Sequence, residues 1–233
     1  MIHDFIDLAK NDIESSEILF ENNKFSNSLY FYHQSAEKAV KYLGLKIGII
    51  YEDNLKKISH HPIKVFSILD QKENLFNGEG IDDFALTIKQ LTDESLVEKT
   101  LEAMEDSLIY LFEVDIKKSY FQNFKIYIKD KDFPEKQMLL QIEENEYYNK
   151  MAENFFSQLN VGAVILRLLF LNSCLCSKYK LDTFRYISNE ITNPIEYFSK
   201  NNSIISHLPI FIKSMNLCLS QIKNIDWKNK NYA

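Results

Sequence analysis

Turn-forming residues are scarce in this chain, which has only 5 glycines and 4 prolines among its 233 residues. That is about 4% of the sequence, against roughly 12% in average proteins. Few positions are therefore suited to tight turns, and long helices with few corners are favoured. Glycine-rich phosphate-binding loops are excluded, because neither G-x-G-x-x-G nor G-x-x-x-x-G-K-[ST] occurs in the sequence. We predict an all-α protein, an up-and-down antiparallel helical bundle.

Two helices are predicted at the start of the chain. Apolar residues recur at helical spacing over residues 4–22 and again over 26–48. Only a few residues join the two segments, and short connections make antiparallel neighbours. We therefore expect a helical hairpin in which Ala36 and Ala39 permit close approach.

Two further helices are predicted in the next part of the chain. A third helix begins near His61, since Pro62 suits the first helical position. The turn-forming residues 77–80 break the chain, and residues 95–116 then carry apolar side chains at alternating steps of four and three, which is typical of a bundle helix. Residues 123–129 alternate in polarity and predict a short extended segment.

The last part of the chain is also predicted to be helical. A helix begins after Pro134, and it either runs through Gly162 with a bend or is broken there into two helices. A final helix over residues 204–225 is expected to be interrupted by Pro209, because proline lacks the amide hydrogen that a helix interior uses. Residues 228–233 are expected to be loose.

Charge is unevenly distributed along the sequence. The chain has 27 basic and 33 acidic residues, a net charge of −6, which argues against a general nucleic-acid coat protein. Residues 70–115 contain 13 acidic and 3 basic residues, so the remainder of the chain is mildly basic. We interpret the acidic segment as a solvated helix face. The alternative is a surface that docks a basic partner protein.

The cysteines and the apolar segments predict buried helices. Cys174, Cys176 and Cys218 do not form a disulfide framework, and no secretory segment is recognised before them. The C-x-C pair lies within an apolar run and predicts buried thiols rather than a metal site. Residues 161–171 are apolar but fall short of the ~20 residues that a membrane span needs. We expect a cytoplasmic protein with no membrane association.

The first seventy residues carry a specific order of motifs. The second helix contains Gln34-Ser35-Ala36-Glu37-Lys38-Ala39-Val40-Lys41, and Ser59-His60-His61 precedes the third helix. This order, clearest over residues 5–70, resembles the HEPN family (higher eukaryotes and prokaryotes nucleotide-binding), whose members share a Q-x-A-E-K-x-x-K helix followed by a T/S-H signature. Farther along, Phe184-Arg185-Tyr186 is similar to a later R-Y-P of the family, with isoleucine in place of the proline.

The resemblance implies a helical bundle that commonly forms a homodimer and binds RNA or a nucleotide in a toxin–antitoxin, defence or stress system. It also implies a partner of the nucleotidyltransferase type, encoded by a neighbouring gene. That partner would be a separate chain, because this sequence lacks the Gly-Ser turn and paired aspartates of such an active site. We predict one HEPN-like domain over residues 1–233, in which residues 80–134 form an insertion atypical of the family.

RNA-cleaving members of the family resemble one another in an R-x(4–6)-H motif, where arginine holds a phosphate and histidine moves a proton near the 2′-hydroxyl. No histidine follows Arg167 or Arg185, the only two arginines, within six residues. The nearest substitute is Lys200 with His207, but a lysine cannot grip a phosphate in bidentate fashion. The missing motif argues against cleavage. If the protein is an enzyme, we expect a metal-independent endoribonuclease that uses these two residues.

Other candidate residues lie on a polar ridge of the second helix and before the third. Glu37 and Lys41 are four residues apart, which predicts a solvated surface ion pair worth about 0.3–0.5 kcal/mol, or a ridge that meets a ligand. The two histidines before the third helix either contact a phosphate at the helix start or cap and pack it. The candidate ligand-binding residues are His33, Glu37, Lys41, His60, His61 and Arg185.

Metal and cofactor chemistry is not predicted. The sequence contains no E-x-x-H or H-E-x-x-H, so the usual carboxylate–histidine sites of di-iron bundles and zinc proteases are excluded. Two functions thus remain in competition: an RNA- or nucleotide-binding HEPN-like protein, and a non-catalytic interaction or dimerisation module that docks a partner through its acidic segment.

Overall fold

A computed structural model describes residues 2–73, 90, 93, 95–113, 146–187 and 191–225. This part of the chain is helical and contains no strand, as the all-α prediction requires. The α-helices are α1 (Ile2–Glu21), α2 (Phe25–Lys46), α3 (Leu55–Ile58), α4 (Ile63–Glu73), α5 (Val97–Glu113), α6 (Glu146–Ser177), α7 (Pro194–Tyr197) and α8 (Ser203–Gln221). Short 3₁₀ turns span Glu52–Asn54, Leu181–Phe184 and Ile222–Asn224.

Helices α1 and α2 form the predicted antiparallel hairpin. The chain reverses at Asn23, whose φ of 56° lies in the left-handed region that asparagine tolerates. The hydroxyls of Ser16 and Ser28 each donate to the other residue's carbonyl, at 2.9 and 2.8 Å. Farther along, the Ser35 hydroxyl donates to the Ala9 carbonyl at 2.8 Å. Short side chains at these crossings let the helices approach closely and satisfy the buried hydroxyls.

A buried polar network ties α2 to the later helices. The Tyr32 hydroxyl donates to Oδ1 of Asn172 at 2.6 Å, and Nδ2 of Asn172 donates to the Ser214 hydroxyl at 2.7 Å. These three residues belong to α2, α6 and α8, and all are buried. Burial raises the pKa of Tyr32 well above its ordinary value, so the phenol stays protonated and acts as a donor. The network fixes the register of the hairpin on the bundle.

The structure confirms the helix that the apolar spacing over residues 95–116 predicts, as α5. The positions that alternate steps of four and three are all buried, and they face the core against α8 and α6. They are Val97, Leu101, Met104, Leu108 and Leu111.

Two helical expectations are corrected or resolved. The last helix is not interrupted, because α8 runs through Pro209 from Ser203 to Gln221. Pro209 is exposed, while Ile205, Leu208 and Ile212 around it are buried. Core packing on both sides thus holds the helix across one missing hydrogen bond. Similarly, α6 continues unbroken through Gly162.

Several sequence predictions lie outside the described residues. They concern the break at 77–80, the extended segment at 123–129, the start of a helix after Pro134 and the loose end at 228–233. The single-domain boundary and the insertion at residues 80–134 stay predictions.

The three thiols are buried, as predicted. Cys174, Cys176 and Cys218 are free and lie in the core of α6 and α8. Burial raises the pKa of Cys174 to about 12 and also raises those of the other two. In the described ranges, none of the helices has the length and apolarity to cross a bilayer.

Candidate functional site

The polar ridge of α2 is a buried ion network rather than a solvated surface. Oε1 of Glu37 lies 2.6 Å from Nζ of Lys41, and Oε2 lies 2.9 Å from Nδ1 of His60. Glu37 is only 6% exposed and Lys41 only 9%. The expectation of a solvated surface pair is therefore wrong, because the chain that follows α2 folds back over this ridge.

Gly44 and Ser59 bring that chain into place. A Cβ atom at Gly44 would lie 2.9 Å from side-chain atoms of Ile50 and Val65, so only glycine allows this close packing. The amides of Ile49 and Ile50 both donate to the Gly44 carbonyl, which turns the chain back towards α2. Ser59 then adopts a φ of 50°, in the left-handed region that a serine rarely occupies. These features place the His60 ring next to the Glu37 carboxylate.

His33 joins the network through the backbone of the same segment. Its Nε2 lies 3.1 Å from the His60 carbonyl, and a carbonyl can only accept, so Nε2 carries the hydrogen. The side chain is 1% exposed, and burial lowers its pKa to about 4. His33 is therefore neutral at pH 7. Its Nδ1 is a buried acceptor without a hydrogen-bond partner among the described residues.

Exposed positive charge gathers next to this buried network. Both His60 and His61 are exposed, and His61 lies within electrostatic reach of Lys64 and Lys180. Partial burial, followed by repulsion from Lys64 and His60, lowers the pKa of His61 below its ordinary value. Cations close enough to lower the pKa of His61 are well placed to be neutralised by an anion.

Arg185 lies at the other end of the same region. It directly follows the 3₁₀ turn Leu181–Phe184, and its guanidinium carbon lies 3.9 Å from the centroid of the Tyr30 ring. Phe184 packs edge-on against His33, with ring centroids 6.0 Å apart. Tyr30, His33 and Glu37 follow one another at helical spacing on one side of α2.

The structure thus groups the six sequence-derived binding candidates in one region. Three of them are buried, and three are exposed. Sequence reasoning missed Tyr30, Lys64 and Lys180. The helical spacing of Tyr30 from His33 is the signal that could have found the tyrosine. We define the basic face as His60, His61, Lys64, Lys180 and Arg185.

The two catalytic candidates lie elsewhere, at the junction of α5 and α8. Lys200 is exposed in the turn before α8. The Nδ1 atom of His207 is hydrogen-bonded to Glu105, and its Nε2 atom lies 3.4 Å from Oε1 of Glu98. Hydrogen bonds from Ser203 and from this histidine hold the pKa of Glu98 below its ordinary value. Both ring nitrogens of His207 are thus directed at carboxylates.

The arrangement at the basic face favours anion binding over group transfer. Its exposed members are cations and histidine rings, supported from below by a buried carboxylate, and its geometry is fixed by packing. Within the described residues, no cluster of three or more histidine, cysteine, aspartate or glutamate side chains could hold a metal ion.

Comparison with known proteins places the sequence in a family. The HEPN domain model matches residues 2–135, which is more than half of the chain. The match includes His33, Glu37, Lys41 and both histidines before α4, whereas Arg185 and His207 lie beyond it. Neither a curated protein nor a solved structure gives a significant match. On the evidence of this match and of its all-helical fold, the chain belongs to the HEPN domain family.

Proposed function

We propose that this HEPN protein binds RNA or a nucleotide at the basic face. The observation that carries the proposal is the buried Glu37–Lys41 pair, which anchors the exposed His60 on the side of α2 that carries the family signature. Next to His60, His61 lies within electrostatic reach of Lys64 and Lys180. The desolvation cost of burying the Glu37 carboxylate is offset by its contact with Lys41, and its second oxygen positions His60.

Electrostatics supports a phosphate-bearing ligand. The chain as a whole has a net charge of −6, yet His61 lies near Lys64 and Lys180, which repel its protonated form. Phosphates would relieve this repulsion, and the guanidinium of Arg185 can bind a phosphate in bidentate fashion. Binding through such contacts releases cations that are condensed on the nucleic acid. Because added salt opposes this release, the affinity falls as the salt concentration rises.

The geometry around His207 supports binding without cleavage. A general base must present a free ring nitrogen to the 2′-hydroxyl, but both nitrogens here face Glu98 and Glu105. The two carboxylates also repel the phosphates of RNA. Lys200 supplies a charge but not the bidentate grip of an arginine.

Binding can be tested with labelled RNA and fluorescence anisotropy. We expect Lys64→Gln with Lys180→Gln to weaken binding by roughly ten-fold or more and to reduce the salt slope by about 0.7 for each lost contact to single-stranded RNA. The control is Lys99→Gln with Lys213→Gln, which removes the same charge from exposed positions on α5 and α8. Equal loss in both double variants would contradict a localised site, and so would no loss in either.

Cleavage is tested separately. Structured RNA incubated with the wild-type protein is expected to remain intact on a denaturing gel. Cleavage by the wild type that His207→Ala abolishes would overturn the proposal and restore the ribonuclease interpretation. Cleavage by both proteins would place the activity at a site other than His207.

The wider setting follows as part of the same proposal. We infer a homodimer that acts in a toxin–antitoxin, defence or stress system, with a nucleotidyltransferase-type partner encoded nearby. Light scattering at micromolar concentration is expected to give twice the chain mass of 27.5 kDa. A monomer would contradict the dimer, and neighbouring genes without such an enzyme would contradict the pairing.

The alternative of an acidic docking surface is less well supported. Glu98 and Glu105 already interact with His207 within the chain, which leaves Glu102 and Asp106 as exposed acids of α5. A pull-down tests this alternative. If the acidic surface docks a basic partner protein, charge-neutral variants at these four positions should lose that partner.

A further inference from the structure

A planar cation is stacked on an aromatic ring at one end of the basic face. The guanidinium carbon of Arg185 lies 3.9 Å from the centroid of the Tyr30 ring and 5.7 Å from that of Phe31. Both rings are partly buried, whereas Arg185 is exposed. Part of the Arg185 side chain is therefore open to solvent. A flat, weakly hydrated surface of this kind is suited to stacking.

The backbone that carries Arg185 is firmly held. The Ser26 hydroxyl donates to the Phe184 carbonyl, and the Arg185 amide donates to the Asp182 carbonyl at 3.1 Å. The ring of Phe184 is buried between aromatic neighbours, with its centroid 5.2 Å from that of Phe198. A side chain mounted on a fixed turn and already stacked loses little conformational entropy when a ligand binds.

The positive charge of Arg185 is not neutralised by an acidic side chain among the described residues. In the part of the chain that the structure describes, no carboxylate forms an ion pair with it. The next residue, Tyr186, is 65% exposed and adds a second aromatic surface. Lys180 stands at the other end of the same 3₁₀ turn, near His61. The 3₁₀ turn is thus preceded by Lys180, a cation that can bind a phosphate, and followed by Arg185, a planar cation on which a base can stack.

We infer that the ligand of the basic face is single-stranded RNA, and that an unpaired base stacks on the open side of Arg185. His61, Lys64 and Lys180 bind phosphates of the same strand. This inference rests on the proposed function and specifies its ligand. Tyr30 and Glu37, which lie behind Arg185 and His60, are seven residues apart on α2, or about 10 Å along the axis. Successive nucleotides of one strand can therefore engage both ends of the basic face.

The test compares four ligands in the same anisotropy experiment: single-stranded oligoadenylate, an abasic strand of equal length, duplex RNA and inorganic polyphosphate. The wild-type protein is expected to prefer oligoadenylate over the abasic strand by roughly ten-fold, because one stacked base contributes about that factor. Duplex RNA and polyphosphate are expected to bind as weakly as the abasic strand.

The decisive variant is Arg185→Lys, which keeps the positive charge and removes the planar group. It is expected to lose the preference for oligoadenylate and to keep the affinity for the abasic strand. The matched control is Arg167→Lys, which makes the same change at the other arginine of the chain, in a groove of about 480 Å³ between α5 and α6. This control is expected to bind all four ligands as the wild type does.

Each result decides the matter. If Arg185→Lys retains the preference, or if the wild type binds abasic or duplex RNA as tightly as oligoadenylate, the stacking inference is overturned while anion binding at the basic face stands. If the wild type binds none of the four ligands, RNA binding at the basic face, on which this inference rests, also fails.

Discussion

Two histidine–glutamate pairs in this molecule have the same chemistry and opposite surroundings. His60 meets Glu37 next to a buried lysine and a group of exposed cations. His207 meets Glu105 and Glu98 on a partly exposed junction of two helices. The first pair lies at the edge of a neutralised, buried network, and the second lies in an excess of negative charge.

The difference teaches that a hydrogen bond between histidine and glutamate does not identify a functional site by itself. Around Glu37, burial makes every charge dependent on its partner, and the exposed neighbours are positive. Around His207, the ring is only 11% exposed, its carboxylate partners are more open to solvent, and the neighbours are carboxylates. The cations around the first pair attract anions, and the carboxylates around the second repel them.

The largest expected effect separates the pairs by stability. Glu37→Gln leaves the charge of Lys41 buried without a counter-ion and should reduce the free energy of unfolding by about 3–5 kcal/mol. Glu105→Gln changes a pair whose carboxylate is 34% exposed and should cost less than about 1 kcal/mol. Urea unfolding measures both.

A second variant checks the cause of that loss. Replacing Lys41 by methionine in the Glu37→Gln background removes the stranded charge, so the double variant should be more stable than Glu37→Gln alone. Equal stability of Glu37→Gln and Glu105→Gln would mean that burial does not distinguish the two pairs.

The next effect concerns acid stability. The pKa of His33 is about 4 in the folded protein and near 6.5 when unfolded, so between these values only the unfolded chain binds the proton. Stability conferred by the neutral ring is complete above pH 6.5 and falls as pH drops towards 4, by roughly 3 kcal/mol in total.

His33→Gln tests this origin of the pH dependence. Glutamine keeps an amide donor for the His60 carbonyl but does not titrate, so unfolding curves between pH 4 and 6.5 should become flatter than those of the wild type. His207→Gln, at the other pair, is the control. An unchanged slope in His33→Gln would assign the acid sensitivity to other groups.

The smallest expected effect is a pH dependence of RNA affinity at the basic face. Partial burial and neighbouring cations depress the pKa of His61, and a bound phosphodiester should raise it again. Binding then takes up a proton, so RNA affinity should rise as pH falls from 8 to 6, by less than ten-fold per unit. His61→Gln should abolish the slope, and a slope that persists would assign the proton to another group.

The helices were predictable because their signals are local. The short turn at Asn23 and the small residues Ala36 and Ala39 are enough to predict the hairpin, and the stripe from Val97 to Leu111 predicts a core helix. The expected interruption at Pro209 is wrong because the local cost of proline is outweighed by the tertiary packing of Leu208 and Ile212.

The site was predictable as a set of residues but not as an environment. The ridge His33–Glu37–Lys41 is visible as helical periodicity, yet its burial depends on a segment that Gly44 and Ser59 turn back over it. The placement of Arg185 over Tyr30 joins positions 155 residues apart, and no local pattern encodes such a contact. The acids that surround His207 likewise come from a separate helix.

The burial of all three thiols has a practical consequence. Since each is enclosed in the core and protonated at neutral pH, an alkylating reagent can reach none of them until the bundle opens. The rate at which these cysteines are alkylated in the native protein would therefore report the opening of α6 and α8. Mass spectrometry measures it without any introduced probe.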